Sequence, residues 1–235
     1  MLQAAVPVLE RHGAPATLFA TTRWLEEPGE YWWDALERIL LGPQAVPASL
    51  VLTLTSGELR ISTRSPEERV AAHWQLHPLL VHATLAERDA AIAALDAWSG
   101  GSPARYRPMG AEALRALARV PGMSVAAHTV NHLALPDQSA EVALRELVES
   151  CDRLSSLCGS AIHAIAYPYG AVDHRVARLV RKHVGWGLSC EGAALSASFD
   201  AARVPRLDVK AWNVEEFAGR VGGLLEPGDR AMPAS

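Results

Sequence analysis

Apolar positions recur along this chain with two periods, and the two alternate. A helical period opens it: Leu2, Ala5, Val6 and Leu9 share one stripe, and Gly13 stops the run after His12. No capping residue precedes that helix, because Met1 abuts the stripe directly. The apolar, β-rich run from Pro15 to Thr22 predicts a buried strand, and Trp24 to Pro28 a loop. Tyr31 to Leu41 returns to the helical period and ends at Gly42-Pro43. Leu50 to Thr55 and Glu58 to Ser62 flank Ser56-Gly57 as a β-hairpin.

Residues 66–119 read as helical. Pro66 suits a first helical position, with Glu67 and Glu68 in the first turn. Thr84-Leu-Ala-Glu87 is a capping box opening a helix that ends near Ser99-Gly100-Gly101. Ala111 to Arg119 is a further helix, ended by Pro121-Gly122. Strands and helices then alternate: strand 123–127, a helix from about Ser139 to Leu157, strand 162–167, a helix from about Asp173 to Val184, and strand 186–190. Arg203 to Val209 is a last strand candidate, Glu215 to Leu225 a last helix, and 226–235 a frayed tail. This order predicts an α/β fold with a parallel sheet or barrel, in which 58–120 is a helical insertion.

Composition changes this picture little. The chain has 235 residues, 49% of them hydrophobic, so it can bury a sizeable core. A net charge of −4 gives no electrostatic pull toward nucleic acid or anionic lipid. Cys151, Cys158 and Cys190 have no metal-type spacing and read as reduced core or helix residues. No stretch approaches the roughly 20 apolar residues of a membrane span, and no secretory leader is legible. The compartment is left unknown, with the cytoplasm as default. No Gly-rich phosphate loop and no Gly-x-Ser-x-Gly elbow is present, which removes nucleotide and serine-hydrolase chemistry.

Two segments carry candidate chemistry. Ala127-His128-Thr129-Val130-Asn131-His132 puts two imidazoles four residues apart just past a buried strand. There the chain leaves the sheet, side chains can converge, and neutral imidazole ligates zinc-like ions. Ala166-Tyr167-Pro168-Tyr169-Gly170 ends the next strand, since Pro168 cannot sit in a central ladder. Asp173 beyond it reads as a helix cap. His73 and His77 repeat the four-residue spacing inside a helix, where the plain reading is the polar face of a surface helix. An unrelated metallohydrolase recruiting Asp137 beside the loop histidines is a further option.

In this order the segments resemble the polysaccharide deacetylase family, carbohydrate esterase family 4 with its NodB-homology fold. His128 to His132 matches the family's second motif, His-Ser/Thr-x-x-His. Ala166 to Gly170 is similar to a bacterial variant of the third motif reading Phe-Ala-Tyr-Pro-Tyr-Gly. The stretches Leu9 to Thr22, Tyr31 to Glu37 and Val204 to Val209 resemble the same subgroup.

The resemblance implies one deacetylase-like domain over 1–225, an incomplete (β/α) barrel with its first strand missing, and a tail over 226–235. It implies hydrolysis of acetyl groups on an N- or O-acetylated sugar, an acetylated oligo- or polysaccharide being the partner. His128 and His132 would hold a divalent metal, zinc by preference, and the Tyr169 backbone N–H would support the oxyanion. The departures matter equally. The family's Thr-Phe-Asp-Asp-Gly motif has no counterpart, Ala166 stands where the family has Arg, and no later acidic His is matched. Two ligands of three remain, so activity is expected to be weak. The alternative is a catalytically inactive barrel that binds a glycan or a partner.

Overall fold

The computed structural model describes residues 3–225. The expected helix start at Leu2 and the tail 226–235 lie outside them. By internal contacts the chain divides into two compact units, 1–8 with 23–121, and 9–22 with 122–235.

The first unit gathers α2 (Trp32–Leu41), the hairpin β2 (Ser49–Leu54) and β3 (Gly57–Ser62), and the helices α3 (Pro66–His82), α4 (Leu85–Trp98) and α5 (Ala111–Leu117). The short α1 (Ala5–Arg11) spans the sequence boundary between the units. β2 alternates exposed and buried residues, and Leu50, Leu52 and Leu54 face a core with Leu36, Ile39, Leu40, Leu76, Leu80 and Leu95. The helical block expected over 58–120 therefore shares one core with α2 and the hairpin. Thr84 caps α4 as expected, and Ser65 caps α3 just before Pro66. The Thr84 box closes on one side only: Glu87 takes the Thr55 amide of the hairpin instead of reaching back to Thr84.

The second unit is a four-stranded parallel sheet in the order β1-β4-β5-β6, with β1 (Ala16–Ala20), β4 (Met123–Ala127), β5 (Ala164–Ala166) and β6 (Trp186–Leu188). Its helices are α6 (Ala140–Cys158), α7 (His174–His183) and α8 (Val214–Leu225). The α/β class and the parallel sheet match the sequence expectation. Ser139 and Asp173 cap α6 and α7, and Gly159 ends α6 in the left-handed conformation at φ 69°.

One expected strand does not form. Residues 203–209 contribute only a parallel bridge between Val204 and Leu188. Pro205 has no amide hydrogen to extend a ladder there. The cysteines also differ: Cys151, Cys158 and Cys190 form no disulfide, but Cys190 is exposed and lies outside any helix. Burial pushes the Cys151 thiol up to about 11.

Candidate functional site

Parallel strands deliver their C-terminal ends to one edge of a sheet, and both sequence-predicted segments sit at such ends. The His128 amide donates to the Ala20 carbonyl at 3.0 Å, one residue past β4, so the β1–β4 ladder fixes where the histidine loop begins. The His128 Nδ1 lies 2.7 Å from the Ala166 carbonyl at the end of β5. An Nδ1–H donating there orients the ring and leaves Nε2 as the lone-pair nitrogen, the arrangement usual for a ligating histidine. Burial holds the His128 imidazole below its ordinary pKa, so the neutral ring dominates near pH 7.

The three candidate residues come together. The His128 and His132 rings are 4.7 Å apart between centroids and edge-to-face, and the Tyr169 ring stands 4.7 Å from His132, also edge-to-face. Their backbone is unusual. Among the described residues only Thr129 (φ 66°), His132 (φ 54°) and Tyr169 (φ 58°) are non-glycine residues in the left-handed region. A β-branched residue there is a true outlier, and each such residue costs of order 1–3 kcal/mol. Strain of this kind persists only where the surroundings over-determine it.

The surroundings are Glu146 and Thr129. Glu146 is 2% exposed on α6 and accepts three hydrogen bonds from the loop. They come from the Val130 amide at 2.9 Å, the Asn131 amide at 2.8 Å and the Asn131 Nδ2 at 2.6 Å. The Thr129 Oγ1 accepts from the His132 amide at 2.9 Å, and the Thr129 carbonyl accepts from the Thr22 amide at 3.3 Å. Sequence reasoning missed Glu146. Its signal was present: Ala143, Leu147, Ser150, Cys151 and Leu154 trace the buried stripe of α6, and Glu146 is the one acid on it.

The Tyr169 turn is built by close approach. Pro168–Gly170 forms a tight turn kinked at Tyr169, and a Cβ on Gly170 would meet the Cys190 Cβ at 2.8 Å, so only glycine lets Cys190 pack there. Tyr167 anchors the turn from below. It is fully buried, its Oη donates to the Ala202 carbonyl at 2.7 Å, and burial raises its pKa.

The remaining candidates do not join this constellation. Among the described residues, no group of three His, Cys, Asp or Glu side chains is placed to hold a metal ion. Asp137 closes the 3₁₀ turn Leu135–Asp137 and so completes no three-donor set with the histidines. The loop offers two imidazoles, which fit part of a zinc site, whereas catalytic zinc normally takes three protein ligands. The His73–His77 pair is not the polar surface expected of it: His73 is 8% exposed and packs edge-to-face on Trp74, 5.9 Å from His77. A cavity of about 480 Å³ in the first unit, lined by Asp34, Glu37 and Tyr106 among others, holds none of the predicted residues.

Residues 82–185 match the family model "Polysaccharide deacetylase". No curated protein matches the chain. Solved structures are similar at low identity. The Streptococcus pyogenes deacetylase PplD in complex with acetate is 23% identical, over 52% of this chain and 53% of that one, with a TM-score of 0.47. The BpsB deacetylase domain from Bordetella bronchiseptica is 14% identical, over 87% and 64%, with a TM-score of 0.47. A de-N-acetylase from Aggregatibacter actinomycetemcomitans is 8% identical, over 93% and 69%, with a TM-score of 0.49. The chain spans about half or less of the length of the first three structures it matches, at 53%, 37% and 38%.

Proposed function

We propose that this chain, whose residues 82–185 match the polysaccharide deacetylase model, hydrolyses acetyl groups on an N- or O-acetylated oligo- or polysaccharide. The observation that carries this reading is the meeting of His128, His132 and the Tyr169 turn on braced, strained backbone at the ends of β4 and β5.

His128 and His132 are the residues that would hold a divalent metal, zinc by the preference of neutral imidazole. Such an ion polarises a carbonyl oxygen and activates water. The chain's own contributions are positional. The Ala166 carbonyl sets the tautomer of His128, so that Nε2 is the nitrogen available to a ligand. Glu146 and Thr129 hold the loop so that the two rings stay edge-to-face. The Tyr169 backbone N–H supports the oxygen that gains charge as the acetyl carbon becomes tetrahedral. No residue is assigned to move a proton. A two-imidazole donor set and the absence of a placed base among the described residues together predict slow turnover, since a positioned base contributes about 10²–10⁴-fold. Residues 1–225 act in this reading as one deacetylase-like domain.

The test is acetate release from an acetylated chitooligosaccharide with added zinc. Slow release that His128→Ala abolishes supports the reading, and release unchanged in His128→Ala removes it. A second reading is favoured by the absence of a three-donor group among the described residues: a barrel that binds glycan without turnover. It predicts glycan binding unaffected by chelator and by His132→Ala. A chelator-sensitive rate excludes it.

A further inference from the structure

One side chain touches both the first and the last strand of the parallel sheet. The Arg206 guanidinium carbon lies 5.5 Å from the ring centroid of Phe19 on β1. Its Nε donates to the Ser189 carbonyl just past β6 at 3.0 Å, and its Nη2 lies 3.6 Å from the Cys190 Sγ. Two strands, β4 and β5, separate these anchors in the sheet. The guanidinium therefore reaches across the strand ends where His128 leaves β4 and the Tyr167–Gly170 turn leaves β5. One further contact agrees with that placement: Cys190 packs directly on Gly170, next to Tyr169.

Arg206 is only half-buried, and among the described residues it makes no ion pair and its Nη1 no hydrogen bond. Its backbone is fixed, with the Arg206 amide donating to the Glu191 carbonyl at 3.2 Å and Val204 bridged to Leu188. The guanidinium carbon sits over the Phe19 ring, which helps to hold the group in place. A planar, pre-oriented fork with free donors is matched by a carboxylate, which accepts two parallel N–H bonds.

We propose that Arg206 forms a binding site for a small carboxylate at these strand ends, of the size of acetate. The inference rests on the deacetylase reading for the origin of its ligand, because hydrolysis of an acetyl group leaves acetate beside His128 and Tyr169. Arg206 then retains the product and makes turnover sensitive to it.

The experiment follows the methyl signal of ¹³C-acetate by saturation transfer to the full chain, at constant ionic strength with chloride as the compensating salt. Saturable binding is expected for the unaltered chain. Arg206→Gln is expected to weaken it by about tenfold or more, the usual size of a lost charge-assisted pair. Arg206→Lys keeps the charge without the fork and is expected to weaken it by about threefold or more; it carries the test should the Gln variant fail to fold. Unchanged affinity in a folded Arg206 variant, or no saturable binding by the unaltered chain, overturns the proposal. Glucuronate is titrated in parallel. Equal or tighter binding than acetate moves the site to a carboxylate of the substrate and overturns the product assignment. None of these measurements needs turnover. If the unaltered chain releases no acetate from any glycan, the deacetylase reading fails while the binding result stands. If it releases acetate and Arg206→Gln is inhibited by acetate as before, this inference fails and the reading stands.

Discussion

The chain contains the same histidine spacing twice, and the two copies have opposite surroundings. His73 and His77 ride on regular helix, α3, among Trp32 and Trp74. His128 and His132 lie on a loop that turns through left-handed residues and is bound to a buried carboxylate. In the helix, backbone hydrogen bonds set the spacing, and burial lowers the pKa of both rings. In the loop, spacing comes from strain that Glu146 and Thr129 maintain. Strain is stored in one copy and absent from the other, and the proposed function rests on the strained one. Spacing alone does not distinguish them.

The largest expected effect separates the copies at their supports. Glu146→Ala leaves three loop donors without their acceptor, two of them backbone amides, and should destabilise the chain by about 2–4 kcal/mol in urea unfolding. Glu146→Gln keeps one carbonyl acceptor and should cost about half as much. Amide exchange at Val130 and Asn131 should accelerate ahead of the rest of the sheet in both variants. Equal exchange at these amides would mean that the brace does not hold the loop.

Glycine should then act with opposite sign in the two copies. Thr129→Gly relieves a left-handed β-branched residue, so it should be more stable than Thr129→Ala by about 1 kcal/mol. At exposed Ala71 in α3, glycine should instead cost about 1 kcal/mol. Thermal unfolding of the three variants checks both signs.

A smaller effect concerns His73. Its buried Nδ1 has no hydrogen-bond partner, so His73→Leu should be neutral or stabilise by up to about 1 kcal/mol. Burial depresses its folded pKa below the ordinary 6.5, hence the unfolded chain binds more protons in acid. Its contribution to stability is therefore complete above about 6.5, declines as pH falls from there toward the lowered folded value, and levels off below it. Denaturation midpoints measured between pH 7.5 and 5 should fall less steeply in His73→Leu than in the unaltered chain.

Much of the frame was legible because its signals are local. The Thr84 and Asp173 caps marked the starts of α4 and α7, Pro66 that of α3, and two strand-like runs around Ser56-Gly57 marked the hairpin. His128, His132 and Tyr169 were legible as a set, and the structure gathers them. What sequence missed is non-local. Glu146 reaches back 15 and 16 residues to the loop it braces, and Arg206 meets Phe19 from the far end of the sheet. Residues 203–209 looked like a strand by composition, yet Pro205 and a single bridge leave them as a connecting segment. His73 looked like a surface residue because α3 carries polar residues on most faces, while tertiary packing of the first unit decides which face is covered.

The comparison is tested most directly by equilibrium zinc titration of the full chain and of two double variants. The account predicts that His128→Ala with His132→Ala abolishes saturable zinc binding, whereas His73→Ala with His77→Ala leaves it unchanged. Binding kept by the first variant, or lost with the second, would contradict the assignment of the loop as the metal-holding pair.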